Sequence, residues 1–246
     1  MDGSLVDKGP GKAQYPLVKE GRCRNCTKRE GTLCDVLTCD ELDRLDGFMM
    51  TATFDPGQTI FFEGDKLANY YNITKGVIRL IKLLPDGRRA ILDFLYRGDF
   101  LGLNAKGQYA YSAEAITPVR LCRFPRPQLQ AMFADTPKME GRLLGIYTDK
   151  LVANQQRLTD LARKSPRERL ATFLLDLAKK EGLRYGDGGI LLPMSREDIS
   201  DFLGLTIETI SRTFSAFSKE GLLEIQQRKK VNILETEKLE AIAESL

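Results

Sequence analysis

Residues 194–234 read MSREDISDFLGLTIETISRTFSAFSKEGLLEIQQRKKVNIL, and this stretch predicts two short helices joined by a tight turn. Ser195 is a favourable N-cap for the first helix, and Asp198 stands at its capping-box position. Gly204 permits a sharp turn because it lacks a Cβ atom. Thr206 then caps the second helix. The stretch therefore predicts helix, turn and helix in close succession.

The end of the same stretch predicts a β-hairpin. Apolar residues of the second helix recur at helical spacing, and Gly221 ends that helix. The following run, LLEIQQRKKVNIL, reads as two strands around the basic turn Arg228-Lys229-Lys230. Helix, turn, helix and hairpin are the order of a winged helix-turn-helix, which places its second helix in the major groove of DNA.

The candidate DNA contacts lie near the start of the second helix. Arg can bridge guanine O6 and N7, Glu can accept from cytosine N4, and Ser can bond several base edges or a phosphate. The candidate residues are Thr206, Glu208, Thr209, Ser211 and Arg212. The alternative interpretation is a small helical hairpin with a solvated charged face.

Composition limits the other possible functions. The net charge is only +3, and residues 165–246 carry fewer Lys and Arg than Asp and Glu, so DNA binding must depend on where individual charges lie. The chain has no histidine, which excludes Ser-His-Asp triads, Cys-His dyads and HExxH zinc sites. We therefore predict that the protein is not an enzyme.

The chain divides into four predicted regions of an α+β protein. Residues 1–20 lack periodicity and are expected to be a disordered leader. Residues 21–136 hold a cysteine-bearing segment and then a β-roll, which is a jelly-roll sensor domain of short strands separated by turn signals. Residues 137–164 predict a long dimerisation helix, and residues 165–246 the winged helix-turn-helix domain.

Two local details complete this organisation. Residues 40–50 predict a short helix with Asp40 as its N-cap, and Asp86-Gly87 predicts a hairpin turn between two strands. The sequence shows neither a signal-peptide pattern nor an apolar run of membrane-spanning length, so we expect a cytoplasmic protein without membrane contact.

The long helix carries a narrow apolar stripe with polar flanks, which favours helix pairing over packing against its own domain. Residues of the stripe recur at alternating steps of three and four, and Asn154 within it would fix the register of a pair. The predicted homodimer contacts are Leu144, Tyr147, Leu151, Asn154, Leu158 and Leu161.

Four of the five cysteines lie between Cys23 and Cys39. In a reducing compartment such a cluster binds metal more often than it forms disulfides. Cys23, Cys26 and Cys34 together with the distant Cys122 supply four thiolates, which hold either zinc or an iron–sulfur cluster. Spacing leaves open zinc, a cluster, a thiol-redox enzyme built on Cys23-x2-Cys26, and reduced thiols without a ligand. Cys39 could take the place of Cys34 in this set or be an uninvolved thiol; we favour Cys34 as the ligand.

The run LPMSREDISDFLGLTIETISRTFSAFSKEGLL resembles the DNA-binding domain of the CRP/FNR family of transcription regulators. Glu208-x-x-Ser211-Arg212 resembles the recognition signature of its FNR branch. The resemblance covers about residues 20–240. It implies a homodimer that binds a palindrome resembling TTGAT-N4-ATCAA, with half-sites about one helical turn apart. It also implies contact with RNA polymerase, for which the turn Pro85-Asp86-Gly87-Arg88-Arg89 is a candidate surface; a solvated hairpin tip is equally compatible.

The same resemblance bears on the cysteines. FNR-type regulators use three N-terminal cysteines and one β-roll cysteine to hold an oxygen-labile 4Fe-4S cluster, and Cys122 in VRLCRFP stands where the fourth ligand is expected. Seven residues separate Cys26 from Cys34, and this spacing is similar to that of FNR-like proteins of alphaproteobacteria. The resemblance therefore implies a cluster that forms at low oxygen and promotes dimerisation and DNA binding.

A cyclic nucleotide is not the expected ligand of the β-roll. Members of the family that bind cAMP carry an Arg-Ser/Thr-Ala pattern whose Arg pairs with the cyclic phosphate. Here the corresponding stretch, GDFLGLNAKGQYAYSAEAIT, contains Gly98-Asp99 but not that pattern.

Overall fold

The computed structural model describes residues 23–26, 29–104, 106–180, 189–226 and 230–244. In these ranges, eight strands form the N-terminal half, and three strands and four helices form the C-terminal half after a long helix. The N-terminal strands are β1 Met50–Phe54, β2 Thr59–Phe61, β3 Asn69–Lys75, β4 Ile78–Leu83, β5 Arg89–Leu95, β6 Phe100–Leu101, β7 Ser112–Ala115 and β8 Val119–Pro125.

These strands form two antiparallel four-stranded sheets, with the orders β1-β8-β3-β6 and β2-β7-β4-β5. Apolar side chains on the inner faces of both sheets, including Phe54, Ile78 and Leu121, are buried in one core. Gly87 turns β4 into β5 with a φ of 84°, and the Leu84 amide donates to the Arg88 carbonyl at 2.8 Å. The predicted β-roll and its Asp86-Gly87 hairpin are therefore confirmed.

Helix α1 spans Cys39–Asp46, and its N-cap is Thr38 rather than the predicted Asp40. The Thr38 hydroxyl accepts from the Glu41 amide at 3.4 Å, and the Glu41 carboxylate accepts from the Thr38 amide at 2.7 Å. This reciprocal capping box satisfies two amides that Asp40 would leave unpaired, which explains why the helix starts earlier.

The connection between the halves consists of helix α2, Arg126–Asp135, and helix α3, Pro137–Arg163. The long helix predicted within residues 137–164 is α3, which ends at Arg163. Lys164 adopts an extended conformation as the C-cap of α3, with its amide bonded to the Asp160 carbonyl. Helix α4, Pro166–Lys180, then starts at a proline, a residue that favours the first position of a helix.

The C-terminal half continues with β9 Ile190–Leu191, α5 Arg196–Leu203, α6 Ile207–Lys219, β10 Leu223–Gln226, β11 Lys230–Ile233 and α7 Thr236–Glu244. Strands β10 and β11 form the predicted wing, and β9 joins them in a sheet of order β10-β11-β9. Helix α7 was not predicted. It packs against α4. The helical spacing of Leu239, Ile242 and Ala243 is the pattern in the sequence that could have predicted it.

The two halves share apolar packing. Ile91 and Phe94 of β5 are buried with the core of the C-terminal half rather than with the β-roll. The Phe94 ring lies 5.0 Å from that of Phe202 on α5 and 6.3 Å from that of Phe173 on α4. The sheet β2-β7-β4-β5 of the β-roll, called the sensor sheet below, therefore contributes side chains to the core of the helix-turn-helix domain.

The predicted leader, residues 1–20, lies outside the described residues, and so does Gly182, a glycine placed where it would end helix α4. Within the described ranges, none of the helices has both the length and the apolar character that a membrane crossing needs.

Candidate nucleic-acid interface and cysteine cluster

Helices α5 and α6 meet at a turn that local chemistry fixes. The Ser195 hydroxyl accepts from the Asp198 amide, and the Asp198 carboxylate accepts from the Ser195 amide, each at 3.0 Å. Gly204 has a φ of 63°, the left-handed conformation that favours glycine. The Thr206 hydroxyl then caps α6 by accepting from the Thr209 amide at 3.2 Å. The predicted caps and turn are confirmed.

Helix α6 has one buried face and one polar face. Ile210, Phe214 and Phe217 are buried in the core of the C-terminal half. Opposite them, the side chains of Glu208, Ser211, Arg212 and Ser215 are exposed. Ser215 lies one turn beyond Ser211 and was not among the predicted contacts, although its i+4 spacing placed it on the same face.

The predicted candidates differ in accessibility. Thr209 is half-buried, and its hydroxyl lies 3.1 Å from that of Thr206, so these two residues mainly shape the start of α6. A backbone hydrogen bond, the Thr206 hydroxyl and the charge of Arg212 lower the pKa of Glu208. Glu208 therefore presents an ionised acceptor, as contact with cytosine N4 requires.

The wing begins at β10 and returns through β11. Of the predicted basic turn, Lys230 is the first residue of β11, whereas Arg228 and Lys229 lie outside the described residues.

Helix α3 presents the predicted apolar stripe over part of its length. Leu144, Leu151 and Leu158 are exposed by 69%, 58% and 67%, and Asn154 is also exposed. Tyr147, in contrast, packs against the β-roll core. The half-buried Leu161 lies against the turn at Gly204. Two of the six predicted interface positions therefore make contacts within their own chain.

Arg157 stands by its spacing on a polar flank of the α3 stripe, but its side chain is an internal link. Its guanidinium donates to the carbonyls of Leu92 and Ile91 on β5 and to the Phe202 carbonyl on α5, the last at 2.7 Å. It also stacks 3.7 Å above the Phe202 ring. Burial lowers the pKa of Arg157. One side chain thus joins the long helix, the sensor sheet and the helix-turn-helix.

The four predicted ligand cysteines lie in one neighbourhood. Cys23 and Cys34 are buried, and Cys26 and Cys122 are half-buried. The Cys26 amide donates to the Cys23 carbonyl at 3.4 Å, while Cys122 lies on β8 between Thr51 of β1 and Asn72 of β3.

Burial and the neighbouring thiols raise the pKa of three of these cysteines. Burial raises the pKa of Cys34 to about 12, and the charges of Cys23 and Cys26 add to the effect. The pKa of Cys122 is also raised to about 12, by burial and by the charges of Cys34 and Cys26. Burial, Asp46, Cys122 and Cys26 raise the pKa of Cys23. Each thiol therefore affects the ionisation of others in the group.

Cys39 occupies a different environment. It is exposed at the first position of α1 and lies near Arg24. Among the residues that the structure describes, no group of three or more Cys, Asp or Glu side chains converges closely enough to hold a metal ion. In kind, however, the four thiols of Cys23, Cys26, Cys34 and Cys122 are the donor set that zinc and iron–sulfur clusters take.

The cysteine segment also contacts the long helix, through residues that the sequence did not single out. Arg142 of α3 donates to the Gly31 carbonyl at 2.6 Å and to the Thr32 carbonyl at 3.2 Å, both in the loop between Cys26 and Cys34. Lys138, one turn earlier, pairs with Glu41 of α1 at 2.6 Å. No spacing rule in the sequence connects residues so far apart.

The fold and the polar face of α6 together define a DNA-binding regulator with a β-roll sensor domain. A family model described as a Crp-like helix-turn-helix domain matches residues 168–242, and one described as a cyclic nucleotide-binding domain matches residues 51–136.

Known proteins that are similar to this chain over most of its length are regulators of the same class. The nitrogen fixation regulation protein FixK of Bradyrhizobium diazoefficiens is 36% identical over 222 residues, which cover 90% of this chain and 93% of that protein. The transcriptional activator protein FnrL of Cereibacter sphaeroides is 31% identical over 223 residues, which cover 89% of this chain and 90% of that protein. The solved structure of FixK2 from Bradyrhizobium japonicum matches with a TM-score of 0.75 and 29% identity, over 80% of this chain and 98% of that one.

The chain therefore belongs to the CRP/FNR family of transcription regulators. Proteins of this family are not enzymes; they bind DNA and typically act as dimers. The match of residues 51–136 to a cyclic nucleotide-binding domain describes the fold of the β-roll. That this β-roll does not bind a cyclic nucleotide stays a prediction.

Proposed function

We propose that the protein is an oxygen-responsive transcription activator whose Cys23, Cys26, Cys34 and Cys122 hold a 4Fe-4S cluster. The observation that carries this proposal is the grouping of four thiols from two distant parts of the chain, whereas Cys39 is exposed at the start of α1. Burial and the neighbouring thiols disfavour the charged form of Cys23, Cys34 and Cys122, so the thiolates that a ligand set requires would need a bound cation to neutralise them. When bound, the cluster supplies an oxygen-labile cross-link among the four sulfur atoms.

The contacts of the cysteine loop suggest how this cross-link would affect the long helix. Gly31 and Thr32 lie between two of the ligand cysteines, and their carbonyls accept from Arg142 of α3. Fixing this loop fixes the position of those carbonyls. Arg142 and Lys138 then hold the start of α3 against the cysteine segment. The cysteine loop therefore influences the position of α3 relative to the β-roll, and the predicted dimer stripe lies on that helix.

In the paired state, two α6 helices would read successive major grooves of a palindrome resembling TTGAT-N4-ATCAA, through Glu208, Ser211 and Arg212. Contact with RNA polymerase would use the exposed hairpin between β4 and β5. Arg88 of that hairpin is exposed, but Arg89 points to the helix-turn-helix domain and pairs with Asp201, so it is removed from the candidate polymerase surface.

The experiment is anaerobic purification of the full chain, followed by iron, sulfide and zinc analysis and visible spectra before and after air is admitted. We expect about four irons and four sulfides for each chain, with a chromophore that bleaches in air. DNA binding to the palindrome should fall in parallel with the bleaching.

Two serine variants make this test specific. Cys34→Ser should lose iron, whereas the matched control Cys39→Ser should retain it. Stoichiometric zinc without a chromophore would contradict the cluster and support a zinc-stabilised constitutive regulator. Loss of iron in Cys39→Ser but not in Cys34→Ser would show that Cys39, and not Cys34, belongs to the ligand set.

A further inference from the structure

Two arginines of the sensor sheet reach the first helix of the helix-turn-helix. Arg79 of β4 donates to the Asp198 carboxylate at 2.6 Å, and Arg89 of β5 donates to the same carboxylate oxygen at 2.9 Å. Arg89 also pairs with Asp201 at 2.7 Å and lies 3.5 Å from Glu197. The partners are more than one hundred residues apart in the chain, so these bonds are contacts between domains.

The centre of this arrangement is buried. The Asp198 side chain is only 3% exposed, and those of Arg79 and Arg89 are 19% and 25% exposed. Burial alone would lower the pKa of Arg89, but the hydrogen bond to Asp201 and the charges of Asp198 and Asp201 outweigh it and raise the pKa. These ion pairs are thus shielded from solvent and held in one arrangement by hydrogen bonds, whereas exposed ion pairs are screened by water and salt.

Asp198 has a second role that makes its position consequential. One of its carboxylate oxygens accepts from the Ser195 amide at the start of α5, while the other accepts from both arginines. The sheet therefore holds α5 through the residue that also caps it. At the far end of α5, Arg157 holds the Phe202 carbonyl. Both ends of this helix are fixed to the rest of the chain.

The position of α5 determines that of α6. The two helices are joined by the short turn at Gly204 and share a buried core, so they move together. Glu208, Ser211 and Arg212 remain exposed while α5 lies on the sheet. The arginine contacts are therefore compatible with DNA binding and fix the direction in which the reading face of α6 points.

We propose that Arg79 and Arg89 are positioning residues for DNA recognition, which hold each recognition helix at the orientation that one half-site spacing requires. In a two-fold dimer, each added base pair moves the half-sites apart by about 3.4 Å and rotates them by about 34°. A rigidly held pair of recognition helices matches one spacer, whereas loosened helices accept several. These contacts thus set spacing preference, and the side chains of α6 set base preference.

The test measures the affinity of the full-length dimer for palindromes of two TTGAT half-sites with spacers of about two to about six base pairs. The variants are Arg89→Asp, Asp201→Arg and the charge-swapped double variant. The matched control is Arg88→Asp, which makes the same charge change at an exposed neighbour whose partner is Asp86. Circular dichroism and sedimentation establish folding and the dimer fraction of each variant.

We expect each single variant to flatten the spacer profile, with the ratio between the best and the neighbouring spacers falling about tenfold. The double variant should restore the peak, and Arg88→Asp should keep the wild-type profile. An unchanged profile in both single variants, or an equal loss of affinity at every spacer, overturns the proposal. If Arg89→Asp does not fold, Arg89→Gln replaces it and the same two outcomes decide.

This inference rests on DNA binding by a dimer and not on the iron–sulfur proposal. A protein that contains zinc would contradict the cluster and leave the spacer profile measurable. An unchanged spacer profile in an iron-containing protein would overturn the positioning role and leave the cluster supported.

Discussion

Helix α6 exposes polar side chains, whereas helix α3 exposes leucines. In α6 the apolar residues Ile210, Phe214 and Phe217 are buried within one chain, whereas Ile207 in its first turn is 43% exposed. In α3 the residues Leu144, Leu151 and Leu158 remain open to solvent. Apolar area of this kind is stabilised when a second apolar surface covers it, whereas the polar face of α6 suits base edges and phosphates. The recognition surface is therefore a property of one chain, whereas the leucines of the long helix offer apolar area that the predicted pairing would cover.

The largest expected effect comes from disrupting the exposed stripe of α3. Leu151→Glu places a charge at the centre of the predicted pair and should convert the dimer to a monomer, because burying an unpaired carboxylate is costly. Affinity for the palindrome should then fall by about 10² to 10⁴-fold as avidity is lost. Sedimentation velocity and a DNA titration measure the two quantities.

Ala153→Glu is the matched control, because Ala153 is exposed on α3 but lies outside the stripe. It should remain dimeric. A dimer in Leu151→Glu would show that the pair forms through another surface.

A smaller effect is expected on the polar face of α6. Arg212→Ala should weaken binding by about 1 to 3 kcal/mol, through the loss of one base contact in each half-site. The loss should disappear on a palindrome in which the contacted base pair is already changed. Titration against a set of singly substituted palindromes measures this.

Lys219→Ala serves as the comparison at the end of α6, where the side chain is exposed and one positive charge is also removed. Its effect should be similar on every sequence. If Arg212→Ala also weakened all sequences equally, Arg212 would contact phosphate rather than a base.

The smallest effect concerns the start of α6. Thr206→Ala removes the hydroxyl that accepts from the Thr209 amide and should lower the free energy of unfolding by about 1 kcal/mol. Thr206→Ser keeps the hydroxyl and should retain most of the stability. Urea unfolding of both variants provides the measurement, and equal losses in the two would assign the effect to the methyl group.

Local chemistry explains why the sequence predicted the helix-turn-helix so closely. The caps formed by Ser195, Asp198 and Thr206 and the left-handed turn at Gly204 join residues only a few positions apart, so their spacing carries the structural information. The β-roll was predictable for a similar reason, because turn signals such as Asp86-Gly87 separate its strands. The wrong cap at α1 arose because Thr38 and Asp40 are both good caps and the reciprocal bond to Glu41 decided between them.

Contacts between distant segments were less accessible. The sequence identified the four cysteines, but it gave no reason to place Arg142 beside the loop between two of them. Likewise, Arg157 occupies a flank position on α3 that usually faces solvent, and its role depends on where β5 and α5 meet. Tyr147 fits the dimer stripe by spacing but packs on the β-roll. In each case the deciding neighbour comes from another element, and periodicity along one helix does not reveal it.

The burial of Ile91 and Phe94 in the core of the C-terminal half has a consequence for how such regulators can be recombined. A chimaera joined at the α3–α4 boundary would take helices α4 and α5 from one parent and the phenylalanine that packs against them from the other. Phe94 would then face foreign side chains in place of Phe173 and Phe202. The transferable unit is the DNA-binding half together with strands β4 and β5, although strands β6 to β8 and helices α2 and α3 lie between that hairpin and this half in the chain.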